Sequence, residues 1–252
     1  MRGKPNIIFS PHFDDAVLSL GGLVAAEAAQ TRVITFFTGV PELSHQTRWD
    51  RCAGFKDSTE AMKYRAEENR IALTALGMAP SAIRNLSYLD RQYRPLAEDD
   101  RLKVVLPKVI ASIAASLPDA DLFAPAMEYH PDHALLKYSF LQVARPVEGR
   151  WHLYEDMTYS YYFLRLRSIL PIRFFNFDLI RRFLAAKNSV AVLPIGISER
   201  EMDKKIQALD IYRSQFMRLH RILYRGLRQF AAAEARYYCL SSPYAETIYL
   251  LI

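Results

Sequence analysis

The sequence predicts an α/β fold in which a Rossmann-like, mostly parallel sheet is flanked by helices in three αβα layers. The first 40 residues predict a strand, a helix and a second strand, the opening of a right-handed βαβ unit. Further apolar runs alternate with helical patterns along the chain, which is typical of a parallel sheet. Two of these runs end in clusters of histidine and aspartate, and open α/β sheets bind ligands beyond the carboxyl ends of their strands.

The opening unit follows from the residue pattern. Residues 6–10 form a short apolar run that predicts a buried parallel strand. Residues 16–30 carry apolar side chains at helical spacing, and the pair Gly21-Gly22 inside this helix indicates close packing near the turn. Residues 32–38 are rich in β-branched and aromatic side chains and predict the second strand.

Later elements are predicted in the same way. Residues 40–59 have no clear period and predict a loop or a short irregular helix, a kind of segment that often borders the site in α/β enzymes. Pro107 predicts a break or kink in the third long helix, and Ser198 with Glu201 predicts a capping box that opens the last one. The predicted strands are 83–88, 121–126, 151–156 and 190–195, and the predicted helices are 60–76, 98–117, 134–144 and 198–216.

Composition limits the class of protein. A chain of 252 residues with 51% hydrophobic residues is long enough for one large α/β domain, and we expect a single domain over residues 1–252. Cys52 and Cys239 lie far apart and form no CxxC pattern, which fits a reducing cytoplasm and predicts neither a disulfide framework nor a thiolate zinc site. No secretory signal or transmembrane segment is predicted, since every apolar run is too short. The net charge of +6 favours an anionic partner, but no nucleic-acid motif accompanies it.

The two polar clusters predict a metal site. His12, Asp14 and Asp15 follow the first strand, and His130 and His133 follow the strand at 121–126. Histidine nitrogens and carboxylate oxygens are ligands of zinc, and a catalytic zinc site uses three of them. If the two strands are neighbours, their side chains converge in one crevice and Asp14 remains beside the metal as a general base.

A structural alternative exists for each cluster taken alone. Asp14 and Asp132 have the side chain and the position of helix N-caps, and either motif could be a surface cluster. Two such clusters at strand ends, in a chain with only 6 histidines, favour the metal site.

Both clusters also resemble the motifs of a known family. The stretches Pro11-His12-Phe13-Asp14-Asp15 and His130-Pro131-Asp132-His133 are similar to those of the PIG-L or LmbE-like family, zinc-dependent deacetylases of N-acetylglucosamine-type sugars. Weaker matches are Thr38-Gly39, Arg65 to Glu68 with the Ala-Leu-Gly that follows, and the region from Lys204 to Ser214-Gln215. The resemblance covers roughly residues 5 to 144 and, more thinly, 190 to 216.

The resemblance implies a role for each matching residue. His12, Asp15 and His133 would bind one zinc ion per chain, and Asp14 would be the general base. His130 would stabilise the tetrahedral intermediate or protonate the leaving amine. Zinc-activated water would then attack an acetamide carbonyl and release acetate and a free amine.

Substrate binding is implied for two further residues. Arg65 resembles the substrate-binding arginine of the family, and Tyr129 lies next to the position where an oxyanion donor is needed. Phe13 replaces the usual proline of the first motif, and Ala16 replaces the acidic residue that often follows it. These departures remove no ligand and no base, but they indicate a divergent branch and weaken the transfer of substrate identity.

Other functions remain open at this point. The same fold could hold an idle site and bind an anionic partner, or it could hydrolyse an amide that is not a sugar acetamide. The expected partner is a small molecule, an N-acetylated amino sugar or conjugate, and a homo-oligomer is possible.

The aromatic and arginine-rich segment 157–182 is typical of core filling, a substrate lid or an oligomer contact. Four arginines fall on one predicted helical face: Arg218, Arg221, Arg225 and Arg228. This stripe indicates a solvated face, or a face that contacts anionic lipid or nucleic acid.

Overall fold

The strands that the structure describes form one seven-stranded sheet. The structure is a computed structural model and describes residues 3–126, 128–144, 150–157, 190–215 and 245–251. The strands are β1 (Asn6–Ser10), β2 (Thr31–Thr35), β3 (Ile83–Asn85), β4 (Asp121–Pro125), β5 (Trp151–Tyr154), β6 (Val190–Gly196) and β7 (Ala245–Leu251). They lie in the order β3-β2-β1-β4-β5-β7-β6, with β1 to β5 parallel and β7 antiparallel to both of its neighbours. The mostly parallel sheet is confirmed, whereas β7 was not predicted.

Helices cover both faces of this sheet. Those described are α1 (Asp15–Ala26), α2 (Arg48–Ala53), α3 (Ser58–Ala75), α4 (Glu98–Ser116), α5 (Pro131–Val143) and α6 (Glu199–Leu209). Side chains alternate along β1, so Ile7 and Phe9 join one buried cluster with α4 and α5, whereas Ile8 joins another with α1, α3 and α6. The predicted three-layer arrangement is therefore confirmed.

The glycine pair in α1 marks a close helix contact. A Cβ atom added at Gly21 would lie 2.7 Å from Cγ of Lys205, a buried residue of α6. Gly21 also follows Leu20, whose backbone angles are not helical. The glycine therefore lets α6 approach α1, which agrees with the close packing that was predicted.

Several predicted bounds differ from the structure, and three of the differences concern helices. The helix predicted over 16–30 ends at Ala26, and a short 3-10 turn over residues 28–30 follows it. Of the break or kink predicted at Pro107, the break is wrong, because α4 continues through this residue as a single helix. The predicted end of α6 near residue 216 is also wrong, because the helix ends at Leu209 and the chain then turns inward, where the Tyr212 hydroxyl donates to the Phe13 carbonyl at 3.2 Å.

Several expectations lie outside the described residues or stay predictions. The segment 157–182, apart from Met157, and the arginine stripe from Arg218 to Arg228 are outside them. None of the described helices has both the length and the apolar character needed to cross a membrane. The capping box of Ser198 and Glu201 is confirmed, since each side chain accepts from the other residue's backbone N–H.

The order of the strands creates a crevice beside β1. The chain leaves β1 for β2 on one side of it, and β4 later pairs with β1 on the other side. Such a switch point leaves the carboxyl ends of two neighbouring strands open to a ligand. The segments after β1 and β4 are the two that carry the histidine and aspartate clusters.

Candidate metal centre and active site

A cavity of about 380 Å³ opens at this crevice. Six of the seven residues predicted for the site line it: His12, Asp14, Asp15, Arg65, His130 and His133. The seventh, Tyr129, is 63% exposed and does not belong to the lining, so its contact with a substrate stays a prediction. The fold thus brings together residues from two motifs more than a hundred positions apart.

Asp15 lies at the centre of the cluster. Its Oδ2 is 3.2 Å from Nδ1 of His12 and 3.1 Å from Nε2 of His133. The same oxygen accepts a hydrogen bond from the backbone N–H of His12 at 2.8 Å, which closes the turn between β1 and α1. One carboxylate oxygen therefore faces one ring nitrogen of each histidine.

These distances fit a zinc ion. Ligand bonds of about 2.0 to 2.1 Å at tetrahedral angles separate neighbouring ligand atoms by about 3.3 Å. The two separations at Asp15 Oδ2 are close to that value, and the donor set of two imidazoles and a carboxylate is one that zinc uses. His12, Asp15 and His133 therefore have the donor chemistry of a three-ligand zinc site, and the Asp15 oxygen is spaced from each ring nitrogen as two ligands of one ion would be.

Two other groups of possible ligands overlap with this one. His12, His130 and His133 place donor atoms within 4.8 Å of one another, and so do His12, Asp90, His130 and Asp132. The carboxylate of Asp132, however, already accepts from Nη2 of Arg94 at 2.6 Å and from the backbone N–H of Arg91 at 2.9 Å. We therefore favour the group around Asp15 as the metal site, with Asp132 as a hydrogen-bonding support for Nε2 of His12 at 3.0 Å.

Burial and the neighbouring charges shift the pKa values of the three candidate ligands. Burial lowers the pKa of His133, but the facing carboxylates of Asp15 and Asp156 outweigh it and raise the value to about 9. The pKa of His12 is raised well above its usual range by Asp132 and Asp15, again against burial. Burial raises the pKa of Asp15, yet the two histidines hold it well below its usual range.

Asp14 has the environment of a general base. It occupies the N-cap position of α1, but its side chain makes no capping hydrogen bond, so the capping interpretation is wrong for this residue. Burial, together with the negative charge of Asp15, raises the pKa of the Asp14 carboxyl to about 7. A carboxylate with this pKa can exchange a proton near neutral pH.

His130 is neutral and has a defined tautomer. Burial and the nearby His12 lower its pKa to about 4. Its Nδ1 accepts from the backbone N–H of Asp132 at 3.2 Å, so the ring proton lies on Nε2. This contact makes His130 the N-cap of α5, and the capping interpretation is therefore wrong for Asp132.

Arg65 lines the cavity, and its positive charge is paired with a buried aspartate. It is 2% exposed, and its Nη2 lies 3.1 Å from Oδ1 of Asp50, which also accepts from the Tyr93 hydroxyl at 2.7 Å. The guanidinium lies over the ring of Phe55, 5.6 Å from its centre. Among the described residues, Arg65 Nε has no hydrogen-bond partner. Arg65 therefore lines the cavity with its positive charge already paired to Asp50.

Two aspartates that contact the candidate site were missed at the sequence level. Asp156 lies 2.6 Å from Nδ1 of His133, and Asp90 lines the cavity 4.0 Å from Nε2 of His12. Both follow a strand of the parallel sheet, β5 and β3 respectively, as Asp15 follows β1. The rule that strand ends carry the site, applied to every strand, could have found them.

The chain after α6 contributes another wall of the cavity. Glu68 of α3 accepts from the backbone N–H of Ser214 at 2.9 Å and from its hydroxyl. The Tyr212 hydroxyl also contacts Oδ1 of Asn69 at 2.9 Å. These contacts fix residues 212–215 against α3 and place Gln215 in the cavity lining.

The fold and the site define an α/β protein with a cluster of histidines and carboxylates that could hold a metal ion, at the switch point of a parallel sheet. The chain belongs to the PIG-L family: the family model described as GlcNAc-PI de-N-acetylase matches residues 7–144, which contain both motifs. The resemblance expected from the sequence is therefore confirmed.

Solved structures of deacetylases share the fold. The A40926 pseudoaglycone deacetylase has a TM-score of 0.77 and 22% identity, covering 99% of this chain and 97% of that one. The zinc-inhibited form of teicoplanin deacetylase has a TM-score of 0.73 and 21% identity, covering 98% and 97%. N,N'-diacetylchitobiose deacetylase from Pyrococcus horikoshii has a TM-score of 0.53 and 19% identity, covering 98% and 84%. No curated protein matches the chain significantly.

Proposed function

We propose that this protein is a zinc-dependent N-deacetylase that removes an acetyl group from the nitrogen of an amino sugar or a glycosylated small molecule. The observation that carries the proposal is the position of Asp14, whose carboxylate lines the cavity together with His12, Asp15 and His133 and makes no capping hydrogen bond. An idle site has no reason to keep the complete set of ligands and base, so the binding-protein alternative is not favoured.

The ligands in this proposal are His12, Asp15 and His133. A zinc ion held by them would supply a Lewis acid that polarises the amide carbonyl and lowers the pKa of water. The spacing of Asp15 Oδ2 from one ring nitrogen of each histidine supports the assignment.

Two residues of the chain move or hold protons in the proposed reaction. Asp14 accepts the proton of the attacking water, and its raised pKa lets the resulting acid return the proton to the departing amine. His130, neutral with its proton on Nε2, donates a hydrogen bond to the carbonyl oxygen as negative charge develops there. Its low pKa favours this role over proton transfer to the amine.

The shape of the cavity supports a sugar-sized substrate. Phe13, Phe37, Trp49 and Met62 provide apolar walls against which the faces of a sugar ring can pack. The similar structures named above are deacetylases of teicoplanin, of an A40926 pseudoaglycone and of diacetylchitobiose, all of them sugar-containing compounds. In the proposal, Arg65 and Tyr129 contact the substrate.

The proposal is tested by metal analysis and acetate release. We expect purified protein to contain about one zinc ion per chain. We also expect it to release acetate from at least one member of a panel of N-acetylglucosamine glycosides and glycopeptides. Release from simple N-acetyl amines alone would instead support an amide hydrolase that does not require a sugar. Protein that holds zinc but releases no acetate from any of them would contradict the proposed activity.

A further inference from the structure

We propose that Asp156 is a positioning residue of the metal centre, which holds the His133 ring so that Nε2 is the atom presented to the metal. The proposal rests on the proposed function, because it concerns the zinc site that this function requires. Asp156 belongs to neither sequence motif and lies just beyond β5, on a different strand from the ligands after β1 and β4.

The contact between the two side chains defines the tautomer of His133. Oδ1 of Asp156 lies 2.6 Å from Nδ1 of His133, and the two side chains are 2% and 1% exposed. An ionised carboxylate can only accept, so a hydrogen bond of this length requires the proton on Nδ1. In the neutral ring, the lone pair then lies on Nε2, the atom that faces Oδ2 of Asp15 at 3.1 Å.

The His12 ring uses the opposite nitrogen. Its Nδ1 faces Asp15 at 3.2 Å, and its Nε2 lies 3.0 Å from Asp132, which also binds Arg94 at 2.6 Å. Each histidine thus has one nitrogen toward Asp15 and the other on a buried carboxylate. Such outer carboxylates orient the ring and raise the basicity of the ligand nitrogen.

The main experiment compares two buried aspartates. Asp156→Asn removes the charge and lets the amide turn, so zinc affinity measured by competition with a chelator is expected to fall about 10- to 100-fold. Asp121→Asn is the matched control, because Asp121 is also buried beside a histidine, His152 at 3.5 Å, but at the amino ends of β4 and β5. The control variant is expected to bind zinc as the wild type does.

A second measurement uses the wild-type protein and so does not depend on the variant folding. In the zinc-loaded protein, long-range ¹⁵N–¹H correlations of His133 are expected to show a proton on Nδ1 and coordination through Nε2. The reverse assignment would overturn the proposal. So would equal zinc affinity in the wild type and Asp156→Asn, which would leave the proposed function intact. A wild-type protein that binds no zinc would overturn both.

Discussion

The guanidinium of Arg94 lies 2.6 Å from the carboxylate of Asp132, and both side chains are fully buried. Arg70 and Glu67 make an ion pair of the same length on the surface of α3, where both side chains are about half exposed. The two pairs have the same distance but different surroundings, and the surroundings decide what each contributes. In the buried pair, each charge depends on the other because water cannot replace it.

Arg94→Met is therefore expected to destabilise the protein by about 3 to 5 kcal/mol, since it removes the guanidinium from a buried carboxylate and leaves Asp132 only the His12 ring and the Arg91 backbone N–H. Arg70→Met, the matched control at the exposed pair, is expected to change the free energy of unfolding by at most about 1 kcal/mol. Denaturant unfolding of the metal-free proteins measures both values. Equal effects in the two variants would show that burial of the Arg94 pair does not matter.

Asp14→Asn is expected to keep zinc and lose acetate release by a factor of about 10² to 10⁴, because the amide cannot accept the proton of water. The measurement is kcat on a substrate that the wild type hydrolyses, with the zinc content determined on the same sample. Asp119→Asn, at an exposed position after α4, serves as the control and is expected to retain wild-type turnover. Wild-type turnover in Asp14→Asn would remove Asp14 from its proposed role.

Zinc affinity is expected to rise with pH up to about 9. The pKa of His133 in the metal-free protein is raised to about 9, so below that pH zinc must displace a proton from the ring. For each proton that zinc displaces, the zinc affinity rises about tenfold per pH unit. Chelator competition from about pH 6 to about pH 10 measures the slope. An affinity that does not change over this range would contradict the raised pKa.

The raised pKa of His133 also affects the stability of the folded protein without zinc, which is expected to fall as the pH rises. The pKa of His133 is about 6.5 in an unfolded chain and about 9 in the folded protein, so its contribution to stability is fully present below pH 6.5 and is lost as the pH rises through 9. The carboxyls of Asp15 and Asp132 have lowered pKa values, so their titration lies below this window and does not oppose the effect. Urea unfolding of chelator-treated protein is expected to show stability falling across this range, and a rise would contradict it.

Local sequence determined most of the elements and the candidate ligands. Hydrophobic period and turn residues were sufficient for the βαβ opening, because those signals depend on neighbours within a few residues. The motifs at His12 to Asp15 and His130 to His133 were also readable, since each occupies one turn at the end of a strand. The helix predicted to run to residue 216 ends earlier, because the distant contact between Tyr212 and Phe13 redirects the chain.

Only the tertiary structure decided which carboxylates contact the two histidines. His12 and Asp132 are 120 positions apart, and they meet because β4 pairs directly with β1. Asp156 reaches His133 because β5 pairs with β4, and a register of this kind leaves no trace in the residues beside either partner. Strand order is set by packing over the whole sheet, so candidate ligands and the aspartates at strand ends could be predicted from the sequence, whereas the pairing of each aspartate with a particular histidine could not.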